Sequence, residues 1–259
     1  SLTEAGREDS FRPLAESRVR SLLTEVARIL AKQGTEAYVV GGWVRDVLLG
    51  RDTADIDIAL AGDALAIAPK VASALGGKSV LLDEVNRVAR VVQLEQEQPS
   101  PKVQWHLDFS SFTGTIEPDL ARRDFTIDAM AVNLHQLVRG LPAVQVIDPF
   151  HGRDHLRQRV IRVVAEEVFT VDPVRLLRAV RLAAELGFTV DRDTEALIQR
   201  DAYLISRVTG ERVREELLRL LSLPGSGRFL PYLDKLGLLT AIFPELALSK
   251  GVIQPREHA

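Results

Sequence analysis

The stretch Tyr38-Val-Val-Gly-Gly-Trp-Val-Arg-Asp-Val-Leu-Leu-Gly50, followed by Asp55-Ile-Asp57, restricts the fold more than any other part of this chain. An apolar run leads into a Gly-Gly turn and a short helical pattern, and a second apolar run then carries two carboxylates. Residues two apart in a strand point the same way, so Asp55 and Asp57 share one face. Gly41 and Gly42 have no Cβ, which lets the backbone take a positive φ and come close to a ligand. The first N–H groups of the next helix have no acceptor inside it and can face an anion, with Arg45 in its first turns. This is the layout of a phosphate cradle beside a divalent-cation site.

The remaining chain can build a core around such a site. It has 259 residues, 46% hydrophobic and 27% charged, within the range of globular domains. Cysteine is absent, which excludes disulfides and cysteine-zinc sites. No apolar run reaches the length of a membrane span, and the N-terminus lacks the basic-then-apolar order of a signal peptide, so a cytoplasmic location without a membrane partner is expected. The net charge of −3 does not announce a nucleic-acid partner. Local charge is more informative: Arg122-Arg123, Arg153 to Arg162 and Arg175 to Arg181 are basic clusters that folding can gather on one wall.

The hydrophobic period changes twice along the chain. Leu14, Val19, Leu22, Leu23, Val26, Ile29 and Leu30 predict an N-terminal helix within 1–34, stopped by Gly34. From 35 to 163 short β-rich runs predict a mixed sheet: Tyr38–Val40, Asp55–Leu60, Ser79–Leu82, Val88–Leu94, Val103–Phe109, Ala131–Leu134 and Val144–Ile147. A helix over Asp63–Leu75, closed by Gly76-Gly77, and another around Thr126–Met130 interrupt them. From 164 to 259 nearly every apolar residue falls at helical spacing, which predicts an all-α segment. The fold class expected is therefore α+β, a mixed-sheet head followed by helices. Pro99-Ser100-Pro101 and Pro224-Gly225-Ser226-Gly227 read as loops.

Three constellations carry chemistry. In-line nucleotidyl transfer needs an activated hydroxyl, a polarised α-phosphate and a neutralised leaving group, and two Mg²⁺ ions held by clustered carboxylates can supply all three. Asp55 and Asp57 are candidate ligands, and Asp108, on a neighbouring run, is the candidate third acid. A D-x-D pair alone is also an ordinary exposed strand end. Secondly, Arg122-Arg123-Asp can set one guanidinium on a triphosphate while the aspartate holds the other; in isolation it reads as a solvated turn. Thirdly, Pro173 predicts a helix start with Asp172 as N-cap and Arg175, Arg178 and Arg181 at three-residue steps. A carboxylate and a guanidinium together can read the Watson–Crick edge of a base, although such a helix standing alone is usually just capped and wet. His151 and His155 lie in a Gly-Arg-Asp stretch expected to be a loop, which argues against zinc. Neither a G-x-S-x-G elbow nor a Walker P-loop sequence is present.

In this order the constellations resemble one family, the class II CCA-adding tRNA nucleotidyltransferases and the related bacterial poly(A) polymerases. The likeness runs from about Tyr38 to Leu221. Val40–Gly50 with Asp55-Ile-Asp57 looks like the family's nucleotide and metal motif. Ala121-Arg-Arg-Asp-Phe-Thr-Ile-Asp-Ala-Met-Ala131 looks like its second motif, and Asp148-Pro-Phe-His-Gly152 like the turn that follows. Asp172-Pro-Val-Arg175 with Arg178 and Arg181 looks like the protein template that selects CTP and ATP, and Glu211-Arg-Val-Arg-Glu-Glu-Leu217 like the neck helix beyond it. The resemblance implies a nucleotidyltransferase-type head over 35–163, an all-helical neck and start of body over 164–259, and Mg²⁺ on Asp55 and Asp57 with Asp108 as third acid. It implies nucleotide contacts from Gly41, Gly42, Arg45, Arg123, Asp172, Arg175, Arg178 and Arg181, and as partners CTP, ATP and the tRNA 3′ end.

Three departures qualify the likeness. Val171 stands where the family has an acidic residue before the template aspartate, and Asp128 stands in place of an asparagine. Only Thr113-Gly-Thr-Ile-Glu-Pro118 separates the Asp108 run from Asp119, where CCA-adding members carry a longer loop; this resembles the CC-adding subgroup. A poly(A) polymerase is the alternative within the fold, and a catalytically silent RNA-binding module the alternative outside enzymes. Phe243–Leu246 and Gly251–His258 resemble the entry into further helical segments, so the chain is expected to be part of a longer protein.

Overall fold

The computed structural model describes residues 17–51, 53, 55–93, 105–140 and 144–246. Leu14, Leu94, Pro99-Ser100-Pro101, Val103 and the Gly251–His258 stretch, which entered the expectations above, lie outside the described residues. Two compact units form, one from the described residues up to Arg122 plus Ile127–Arg153, the other from Arg123–Thr126 plus the described residues from Asp154 onward.

The first unit opens with α1 (Ser17–Lys32), whose Leu23, Val26 and Leu30 recur at helical spacing and are fully buried. β1 (Ala37–Val40), α2 (Gly42–Leu48) and β2 (Asp55–Leu60) follow. α3 (Ala64–Leu75) is closed at both ends as its sequence predicts: the Asp63 carboxylate accepts the Leu65 N–H at 3.1 Å, and Gly76 adopts the left-handed conformation at its C-terminus. Then come β3 (Gly77–Asp83), β4 (Val88–Gln93), β5 (His106–Ser111), α4 (Glu117–Ala121), β6 (Ala131–Asn133), α5 (Leu134–Val138) and β7 (Val146–Ile147). The helix expected near Thr126–Met130 is a single 3₁₀ turn over Thr126–Asp128.

Seven strands make one sheet in the order β3-β4-β5-β2-β1-β6-β7, and β2 with β5 is its parallel pair. Ile56, Ile58, Leu107 and Phe109 are buried on one face of that pair. Their strand neighbours Asp55, Asp57, His106 and Asp108 therefore project from the other. Slipping either strand by one residue would turn its buried apolar residues outward and its acidic residues into the core, so the core fixes the register.

The division between units falls within α6 (Gly152–Gln158). The second unit continues with β8 (Val160–Ile161), α7 (Val168–Val171), α8 (Arg175–Leu186), β9 (Thr189–Val190), α9 (Arg192–Asp201), α10 (Gly210–Leu221), α11 (Phe229–Lys235) and α12 (Leu238–Ile242). Parallel pairing of β9 with β8 interrupts what the spacing predicted as wholly helical; two-residue strands leave no periodic signal. Arg123–Thr126 joins this unit through backbone bonds: the Thr126 N–H donates to Arg162 O at 2.8 Å and the Val164 N–H to Asp124 O at 3.0 Å. The Phe125 and Phe169 rings lie 6.5 Å apart beneath them. Among the described residues no helix is long and apolar enough to cross a membrane.

Phe109 is among the largest fully buried side chains, and both tryptophans, Trp43 and Trp105, belong to the first unit. Phe109→Ala is therefore expected to lower the stability of that unit by about 3–5 kcal/mol, read as an earlier urea midpoint in tryptophan fluorescence at unchanged slope.

Candidate active site

Parallel register sets the acidic residues level: Asp57 stands beside Asp108, and Asp55 beside His106. His106 Nε2 is paired with Asp55. Asp108 is held from the opposite strand by Arg90, whose Nε and Nη2 donate to its two oxygens at 2.7 and 3.0 Å. The Arg90 guanidinium is held above its ordinary pKa, first by that hydrogen bond, which with the charges of Asp108, Asp55 and Asp57 outweighs the effect of burial. All three predicted acids thus occupy one face, but Asp108 meets a guanidinium. Among the described residues no three His, Asp or Glu side chains are gathered closely enough to hold a cation between them.

Beside this face the Gly41-Gly42 turn behaves as its sequence requires. Gly41 has φ 71° and donates its N–H to Met130 O at 3.2 Å. A Cβ on Gly42 would lie 3.4 Å from Arg45 Nη2, an ordinary van der Waals contact, so the guanidinium sits directly against this glycine. Arg45 does not project freely: Nη1 donates to Asp128 at 2.6 Å and Nε to Asp46 at 3.0 Å. Burial works against its charge, and Asp128 and Asp46 outweigh it, so the pKa is raised. Asp128 is the partner that orients a predicted phosphate contact.

In the second unit three of the residues expected to select the nucleotide, Asp172, Arg175 and Arg178, line a cavity of about 270 Å³ together with Asp124, Arg212 and Glu215 among others. Arg178 Nε donates to Asp124 at 2.5 Å. Burial on its own pushes the Asp124 carboxyl up, but Arg178, the Phe125 N–H and Arg175 outweigh it and hold the group below the usual carboxylate range. Arg175 Nη1 donates to Val168 O at 3.2 Å. Arg123 is half-buried at the start of its short segment.

Three expectations need correcting. Asp172 is not the N-cap of the arginine helix: α8 begins at Arg175, after a turn through Pro173 and Val174. Asp172 instead ends α7 in an extended conformation, accepts the Val174 N–H at 3.4 Å and receives Nη1 and Nη2 of Arg212 at 3.0 and 2.9 Å. Arg181 does not reach the cavity. It is 3% exposed and is paired with Glu216 on α10 and, at 2.9 Å, with Glu185, so it ties the two helices together. His155 lies on α6 rather than in a loop and shares a 2.7 Å hydrogen bond with Thr126; Asp148 accepts the Gly152 and Arg153 N–H groups at 2.6 and 3.0 Å where that helix begins. Arg90, His106 and Arg212 were not among the expected residues, because a partner across a sheet or between helices leaves no local spacing; Asp124, expected to hold one of the two arginines before it, is engaged by Arg178. A larger groove of about 610 Å³ in the second unit is lined mainly by apolar side chains, among them Val213, Leu217, Leu221 and Phe243, with Arg214 and Ser206 as its polar members.

Residues 37–162 match the family model described as "Poly A polymerase head domain", and residues 187–249 the one described as "Probable RNA and SrmB- binding site of polymerase A". The chain belongs to the tRNA nucleotidyltransferase and poly(A) polymerase family. The CC-adding tRNA nucleotidyltransferase of Geobacter sulfurreducens is 40% identical over 224 residues, 86% of this chain and 48% of that relative. The CCA-adding enzyme of Geobacillus stearothermophilus is 38% identical over 225 residues, 84% of this chain and 53% of that relative. Among solved structures, the Thermotoga maritima CCA-adding enzyme complexed with tRNA CCA has a TM-score of 0.76 at 31% identity, covering 89% of this chain and 53% of that one. The chain thus spans about half the length of the nucleotidyltransferases it matches. Its mixed sheet and helices are the α+β fold of that family.

The buried Asp124 yields a prediction for the second unit. Asp124→Asn leaves Arg178 facing a neutral amide and is expected to cost about 2 kcal/mol at neutral pH, read by hydrogen exchange across α8. Because folding lowers the Asp124 pKa, its contribution is complete above the unfolded value of about 4 and is lost as pH falls through the folded value. The gap between the native chain and Asp124→Asn should therefore narrow on acidification.

Proposed function

We propose that this chain is the catalytic and nucleotide-selecting part of a cytoplasmic enzyme that transfers CMP from CTP to the 3′ end of tRNA. The observation that carries the reading is the acid face on β2 and β5, in a chain whose second unit offers a carboxylate and guanidinium pair suited to a base. The 3′ hydroxyl would attack the α-phosphorus, and the bond to the pyrophosphate oxygen would break.

Asp55 and Asp57 fit Mg²⁺ by their chemistry, two hard carboxylate donors on one strand face, the first exposed and the second half-buried. When bound there, the cation would polarise the α-phosphate and lower the pKa of the attacking hydroxyl. Asp108 would complete the negative face. Arg45, oriented by Asp128, and the backbone at Gly41-Gly42 would meet the triphosphate, with Arg123 as a further phosphate contact. Asp172 would accept from the exocyclic amine of cytosine while Arg175 donates to the neighbouring ring nitrogen and carbonyl. Adenine also presents a donor beside an acceptor, whereas uracil and guanine present the reverse. Arg178 would support that reading through Asp124, and Arg212 would have to yield Asp172 to the base.

Addition of C alone is favoured by one feature. The connection from β5 to α4 is short and pinned at both ends, Phe112 and Ile116 being 4% and 2% exposed. AMP addition as well remains the second reading, since a CCA-adding enzyme is nearly as similar as a CC-adding one.

The test offers tRNAs ending before the first C, after one C and after two, each with CTP or ATP alone, and sequences the products. The expected outcome is two C residues and no A. Efficient terminal A addition would remove the CC-only reading, long A runs on unrelated RNA would favour a poly(A) polymerase, and no extension with intact RNA binding would favour a silent module. Asp57→Asn should cost several kcal/mol of transition-state stabilisation, about 10³-fold in rate. Asp172→Ala should erode the preference for CTP over UTP by roughly 10–100-fold.

A further inference from the structure

The acid face carries a positive charge that the proposed chemistry does not use. Across the sheet, Arg90 on β4, Asp108 on β5 and Asp57 on β2 are consecutive register partners, so they stand in one row on one face. The Arg90–Asp108 contact is a fork, with two nitrogens on two oxygens at 2.7 and 3.0 Å. A fork of this kind engages both carboxylate oxygens and fixes the plane of the group. A cation seated on Asp108 would have to break two charge-assisted hydrogen bonds and stand next to a guanidinium. Asp55 is paired with His106, a single-nitrogen contact rather than a guanidinium fork. Counting Asp55, Asp57, Asp108 and Arg90, the face carries a formal charge of about −2, which one divalent cation cancels.

We propose that Arg90 is a resident counter-ion that reserves Asp108: it keeps that carboxylate out of cation coordination, so the face takes one divalent cation, on Asp55 and Asp57. Arg90 is then a positioning residue that sets the stoichiometry of the site. Asp108 contributes field and geometry rather than a ligand bond. The inference rests on the reading that Asp55 and Asp57 hold a cation.

Mn²⁺ binding to the intact chain, followed by the loss of its free EPR signal, tests this without any turnover. The native chain should bind one Mn²⁺. Asp57→Asn should weaken binding by more than tenfold, whereas Asp108→Asn, which removes field but no ligand bond, should weaken it by no more than about threefold. Arg90→Gln should release Asp108, giving a second Mn²⁺ or at least fivefold tighter binding, and the double variant Arg90→Gln/Asp108→Asn should return to one Mn²⁺ at near-native affinity. Should Arg90→Gln not fold, the comparison of Asp57→Asn with Asp108→Asn still decides. Equal weakening by those two variants would overturn the role of Arg90 and leave the cation reading standing, as would a folded Arg90→Gln variant with unchanged affinity and stoichiometry. Binding untouched by Asp57→Asn would remove the cation reading itself, and the inference with it.

Discussion

Everything in the first unit is arranged around the repulsion among three carboxylates on one face of a parallel strand pair. Asp55, Asp57 and Asp108 are level or adjacent because β2 and β5 run in the same direction in fixed register. Left alone, that much like charge would push the strands apart. Two features resist this. Ile56, Ile58, Leu107 and Phe109 bury the opposite face and hold the register, and Arg90 supplies a fixed positive charge at one end of the row. The acid face is thus held in place by the hydrophobic core beneath it, and a cation arriving there would add to a compensation already begun.

The second unit solves a related problem with ion pairs. Its cavity collects Asp124, Asp172, Arg175, Arg178 and Arg212, charges that would be mobile on an open surface. Asp124 is buried with Arg178 on it, and Asp172 is forked by Arg212. Arg181 and Glu216 link α8 to α10 behind them. The groups suited to base recognition are therefore set before a nucleotide arrives, which lowers the entropy cost of ordering them on binding. On the proposed reading, a base would have to compete with Arg212 for Asp172.

What could be seen in the sequence was whatever depended on local spacing. The alternation Asp55-Ile-Asp57 showed which face would be acidic, Gly41-Gly42 showed a tight turn, and Asp63 with Gly76 bounded α3 within a residue. What could not be seen depended on partners distant in the chain. Nothing near Asp108 in the sequence indicates that Arg90 will claim it, and nothing near Arg45 points to Asp128. Arg181 shows how a local rule misleads. Three-residue steps fall short of a full turn, so at about 100° per residue Arg181 has drifted about 120° around α8 from Arg175, far enough to enter the seam with α10. Pro173 likewise favours a helix start without fixing it, and the turn it makes leaves Asp172 outside the helix it was expected to cap.

The central claim, that the acid face acts on the α-phosphate of CTP, is tested most directly by CTP carrying sulfur in place of one α-phosphate oxygen. Sulfur is a poor partner for the hard Mg²⁺ and a better one for the softer Mn²⁺. Single-turnover extension of tRNA ending in one C should slow by more than tenfold with one sulfur diastereomer in Mg²⁺ and recover in Mn²⁺. Equal rates for sulfur and oxygen substrates in both metals, with chemistry rate-limiting, would contradict the account.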